Sequence, residues 1–180
     1  SSFSVAVKAD GSVAAWGLDA EGQCAVPANL PRTAAVACGV AHCAALGSDG
    51  SVTCWGRNVE GQCTPPALPD PGVQVVCGPY YTAVLGAGGR AIGWGDGSRA
   101  AVPISASVGT VQSIAAAGNH MLALRADGSV IYWGYGVANL VQEYPCPDAK
   151  RVSAISASFD TDFFVLQAST ASPPCPEDLQ

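Results

Sequence analysis

The sequence predicts an all-β repeat fold, and three observations predict it. Trp16, Trp55, Trp94 and Trp133 stand 39 residues apart, and each is followed by Gly. A turn dipeptide (Asp10-Gly11, Asp49-Gly50, Gly88-Gly89 or Asp127-Gly128) precedes each Trp at one fixed distance. The apolar runs between these signals are short and strand-like, too short for a helical repeat. A period of this length marks one supersecondary unit repeated, as in a solenoid or a propeller.

The elements follow in order. The first strand of a unit is Val36-Ala-Cys-Gly39, matched by Val75–Gly78 and Ile114–Ala117. The second is His42–Leu46, matched by Tyr81–Leu85 and His120–Leu124. The Asp-Gly or Gly-Gly pair then closes a hairpin, because Gly supplies the positive φ a tight turn requires. The third strand ends in Trp-Gly, and a Gly-Gln segment follows at Glu21–Cys24 and Glu60–Cys63. Such small, sparsely charged sheets must bury a face against a neighbouring unit. Radial closure does this and protects the edges, so the expected architecture is a β-propeller of 39-residue, four-stranded blades.

Composition narrows the function classes. Of the 180 residues, 49% are hydrophobic and 12% charged, which supplies ample core material. The net charge of −6 and the scattered Lys and Arg argue against a nucleic-acid partner. No apolar run reaches the roughly 18–20 residues of a membrane span. The chain lacks an initiator Met, a signal peptide and an Asn-x-Ser/Thr sequon, and reads as a mature or excised piece.

The repeat resembles the regulator-of-chromosome-condensation (RCC1-like) repeat in its compact bacterial or secreted form. The resemblance rests on Gly39, His42, Ala45, Leu46, Asp49, Gly50, Val52, Trp55, Gly56, Gly61 and Gln62. It recurs at His120, Ala123, Leu124, Asp127, Gly128, Val130, Trp133 and Gly134. It implies about seven blades, whereas four Trp-Gly units are present. The chain is therefore expected to be part of a larger propeller. In the alternative, Val152–Leu166 and Ser2–Gly17 share one blade and close a four-bladed ring. Residues 1–167 form the repeat domain and 168–180 a Pro-rich exit linker or tail. Within the last unit, Gln142–Asp148 breaks the pattern.

Eight Cys allow 105 pairings, which the repeat register narrows. Cys24 with Cys38 and Cys63 with Cys77 share one spacing, and the next unit loses both matching positions together, as Val102 and Ala116. Cys43 and Cys54 flank the Ser48–Ser51 hairpin, which leaves Cys146 with Cys175. These four disulfides are the expectation, and they place the chain outside the cell or on its surface. Buried free thiols are the competing reading. No ligand spacing suggests a metal.

Catalytic chemistry is not expected, and neither is a cofactor. His42 and His120 share a repeat position with Phe3 and Tyr81, which assigns them to packing or turn bonding, and the four Trp are structural wedges. Asp10, Asp49 and Asp127 belong to turns. Asp19, Glu21 and Glu60 form a solvated loop face, with calcium binding as an outside alternative. Pro79-Tyr80-Tyr81 leaves Tyr80 as the one possible binding anchor. The expected function is a non-catalytic extracellular structural or protein-interaction module, part of a larger surface, matrix or appendage protein. Its partners are other protein chains or further domains of its own polypeptide. A nucleotide-exchange factor for a small GTPase is one alternative. An inhibitor of a secreted enzyme is another, with Tyr80, Tyr135 and Tyr144 as its aromatic contacts.

Overall fold

A computed structural model of the chain describes residues 2–99, 102–134, 137–144, 152–157 and 164–168. Successive antiparallel meanders make up the fold. Strands β1 (Phe3–Val7) and β2 (Val13–Gly17) form the first sheet. The second holds β3 (Thr33–Cys38), β4 (His42–Gly47) and β5 (Val52–Gly56), and the third β6 (Gly72–Cys77), β7 (Tyr81–Gly86) and β8 (Ala91–Gly95). A fourth comprises β9 (Ser113–Ala117), β10 (His120–Leu124), β11 (Val130–Gly134) and β12 (Val137–Tyr144). Strands β13 (Val152–Ala157) and β14 (Phe164–Ala168) pair in a fifth.

Four-stranded blades were the expectation, and only the fourth sheet meets it. The second and third are three-stranded. Proline explains the difference for the second sheet. The stretch after β5 carries Pro65, Pro66, Pro69 and Pro71, and the corresponding stretch after β2 carries Pro27 and Pro31. Proline has no N–H to give a ladder. Val137–Tyr144 contains none and pairs along β11, so Gln142–Tyr144 of the expected break lies in a strand, and residues 145–148 lie outside the described residues.

The second, third and fourth sheets each bury both faces, because strand residues alternate sides. On the second sheet Cys43, Ala45 and Trp55 pack with Phe3, Val5 and Val13 of the first. Its other face sets Ala44, Leu46 and Cys54 against Val75, Val84 and Trp94 of the third. The third meets the fourth through Tyr81, Leu85, Ile114, Met121 and Trp133. The fourth then meets β13 through Leu122, Tyr132 and Ile155. Polar ties run the same way. Thr33, Gly72 and Val111 donate their N–H groups to the carbonyls of Gly11, Gly50 and Gly89 at 2.8–2.9 Å, so each hairpin turn pins the start of the next unit.

Among the described residues, no sheet closes through the termini. A shared blade would merge β13 and β14 with β1 and β2, yet these pairs form separate two-stranded sheets. Trp16 records the consequence. Its counterparts Trp55, Trp94 and Trp133 are 5–9% exposed, whereas Trp16 is 56% exposed on the outer face of the first sheet.

Candidate functional site

One end of the sheets gathers the segments that follow Trp-Gly and the turns that precede His42 and Tyr81. The Trp-Gly pair builds this end. Gly56 has φ +92°, and a Cβ there would lie 2.6 Å from the Ala41 carbonyl oxygen. Only glycine suits that position. The backbone turns so that the Arg57 N–H donates to the Ala41 carbonyl at 2.9 Å, and Asp96 repeats the bond to Tyr80. The Gly-Gln segment is anchored below. The indole N–H groups of Trp55 and Trp94 donate to the carbonyls of Gln23 and Gln62 at 3.0 and 2.9 Å. Both Gln side chains are buried and accept the N–H groups of Glu21 and Glu60.

This scaffold presents a mixed surface. Arg57 joins three units: it pairs with Glu60 at 2.7 Å and Glu21 at 3.5 Å, and its guanidinium lies 5.7 Å from the centre of the Tyr80 ring. The Arg57 hydrogen bond holds the Glu60 carboxyl below the usual range. Val59 and Leu18, in the same post-Trp-Gly segments, are 75% and 48% exposed. Tyr80 is half-buried, so one part of the ring packs and the rest is open. The acidic group is thus a bridged cluster, with Asp19 spent on the Cys24 N–H at 2.7 Å. No group of three potential metal ligands occurs among the described residues.

The other expected residues lie elsewhere. His42 is fully buried, and its Nε2 bonds Thr82 Oγ1 at 3.0 Å across the sheet interface. Thr82 in turn donates to the Gln62 carbonyl at 2.9 Å, so the imidazole is the neutral Nε2–H tautomer. Burial lowers its pKa to about 4. Tyr81, at the matching position, donates to the His120 carbonyl at 2.8 Å. His120 stacks on Tyr132 at 5.1 Å. Asp10, Asp49 and Asp127 accept from Ser12, Ser51 and Ser129 within their turns. Tyr135 lies outside the described residues, and Tyr144 ends β12.

No disulfide is formed among the described cysteines, and one expected pairing is ruled out. Cys24, Cys38, Cys43, Cys54, Cys63 and Cys77 are all free thiols. Cys146 and Cys175 lie outside the described residues. The Cys43–Cys54 bridge fails on register. Cys43 stands opposite Trp55 and Cys54 opposite Ala44, so the two side chains leave opposite faces of one sheet. Sequence spacing counted residues across the hairpin but did not count their parity. It also overlooked Arg57 and Gln74. The Gln74 amide clamps both backbone groups of Ile114, at 2.8 and 2.9 Å, and nothing in the repeat pattern marks it.

Comparison with known proteins fits this geometry. The family model described as "Regulator of chromosome condensation (RCC1) repeat" matches residues 34–62, from β3 through the buried Gln62. Over residues 34–62 the unit is therefore similar to the RCC1 repeat. Human WBSCR16 is similar in structure, with TM-score 0.76 at 18% identity, over 93% of this chain and 56% of that one. Prp20p from Saccharomyces cerevisiae gives 0.72 at 19%, over 92% and 53%, and is described with binding to Gsp1p and histones. The ectodomain of the Physcomitrella patens receptor kinase CR4 gives 0.69 at 21%, over 96% and 51%. These likenesses show an RCC1-type β-propeller fold, and the chain spans about half the length of the structures it matches. No curated protein sequence matches it. No described helix is long and apolar enough to cross a membrane.

Proposed function

We propose that this RCC1-repeat chain is a non-catalytic protein-interaction module working outside the cell or at its surface. Its contact face is the loop end around Tyr80. The observation that carries the reading is the Arg57 junction, which links loops of three units: Arg57 sets its guanidinium over Tyr80 and lies two residues from exposed Val59 in sequence. Aromatic and aliphatic side chains on a pre-ordered frame are the usual anchors of a protein contact. The surrounding carboxylates favour a partner with basic as well as apolar groups. Proteins of similar fold add support, since one is a receptor-kinase ectodomain and another is described as bound to Kap60.

The test is proximity cross-linking in the native setting, comparing wild type with Tyr80→Ala and Val59→Glu. Val73→Glu serves as control, because Val73 is also exposed but lies toward the opposite end of the sheets. One partner lost by both loop variants and kept by the control supports the reading. Equal capture by all four proteins would reject this face.

A further inference from the structure

Cys38 and Cys43 are directly opposed on β3 and β4. Their Sγ atoms lie 3.2 Å apart, the closest approach between thiols among the described hydrogen bonds. The hairpin explains why. Gly39 N–H donates to the His42 carbonyl at 2.9 Å, which makes Gly39 and His42 the hydrogen-bonded pair beside the turn. The next pair, Cys38 and Cys43, is then the non-hydrogen-bonded kind, in which Cα atoms approach to about 4.5 Å and side chains meet. That separation lies inside the range a disulfide spans. The other units break the pair: Cys77 faces Thr82, and Ala116 faces Met121.

The two thiols differ in access. Cys43 is fully buried, with its Sγ 3.6 Å from the Gln23 carbonyl. Cys38 is partly exposed and lines a cavity of about 310 Å³ between the innermost strands β3, β6, β9 and β13, shared with Gln74, Cys77 and Ile155.

We propose that Cys38 and Cys43 form a thiol–disulfide pair, in which Cys38 meets a small disulfide oxidant from the central cavity and Cys43 resolves the adduct. The Cys38 thiolate attacks one sulfur of oxidised glutathione and releases one glutathione thiol. Cys43 then gives up its proton and attacks the Cys38 sulfur, and the second glutathione thiol departs. Two protein thiols are oxidised, and one glutathione disulfide is reduced to two thiols. The hydrogen bond from Cys43 also holds the Cys38 thiol below its ordinary pKa, which favours Cys38 as the attacking group. This pairing replaces the Cys24–Cys38 bridge expected from spacing, and it does not depend on the Tyr80 face.

The test uses the full chain, reduced and then equilibrated with glutathione buffers of rising oxidised fraction. Free thiols are blocked by alkylation, and the linkages are located by peptide mapping. The expected result is a Cys38–Cys43 link that persists in Cys24→Ala and Cys54→Ala. In Cys43→Ala the adduct cannot be resolved, so glutathione on Cys38 rises from a trace to the main species. In Cys38→Ala, Cys43 stays unmodified. Melting curves confirm that each variant is folded, and the wild-type map decides alone if one is not. A Cys24–Cys38 link, or alkylation of both thiols in the most oxidising buffer, overturns the pair. An unmodified Cys38 in folded Cys43→Ala overturns its role as the attacking thiol.

Discussion

His42 shows how much one side chain couples to its surroundings. Burial lowers its pKa from 6.5 to about 4, so the folded chain holds it neutral. The unfolded chain binds a proton near pH 6.5, and stability is lost as pH falls from there towards 4. At 1.36 kcal/mol per pKa unit, the loss is on the order of 3 kcal/mol. Urea midpoints of wild type at pH 7 and 4.5 should show this drop, and His42→Phe should flatten it. Equal slopes in the two proteins would assign the pH effect to other groups. Thr82 links His42 to the Gln62 carbonyl, so Thr82→Val strands the His42 donor in the interface. It should cost about 1–3 kcal/mol in the same assay.

At the scale of the element, the Trp-Gly strand end does different work in different units. In the second sheet Trp55 fills the interface with the first and bonds the Gln23 carbonyl. In the first sheet Trp16 has the same motif and no covering sheet, being 56% exposed. Trp55→Ala should therefore cost about 3–5 kcal/mol, as large core truncations do. Trp16→Ala should cost less than about 1 kcal/mol, as an exposed substitution does. Chemical denaturation of both variants checks the contrast. A large loss from Trp16→Ala would mean that this face is covered in solution.

For the whole molecule, the first sheet carries an exposed face at Trp16, and β13–β14 and β1–β2 are separate sheets among the described residues. Its tryptophans should divide accordingly. Acrylamide should quench one of the four strongly, and Trp16→Phe should abolish that accessible fraction. A wild-type chain without an accessible fraction would show that the ends meet, or that a second chain covers Trp16. The first case would restore the four-bladed ring, and sedimentation would separate the two.

The repeat was legible in the sequence because its determinants are local. Hairpin turns need Asp-Gly, the strand exit at Gly56 needs φ +92°, and both recur with the 39-residue period. His42 and Tyr81 could be assigned to structure because an aromatic replaces His at that position. Three features were decided only in three dimensions. Strand number depended on whether the stretch after Trp-Gly could donate to a ladder, which the prolines prevent in the second unit. Thiol proximity depended on the side from which each Cys leaves its sheet, so Cys43 meets Cys38 and not Cys54. The Arg57 junction joins side chains from three units whose meeting no single repeat encodes. Local backbone chemistry therefore determined the unit. Register and packing between units determined which side chains meet, because one residue of shift moves a side chain to the other face of its sheet.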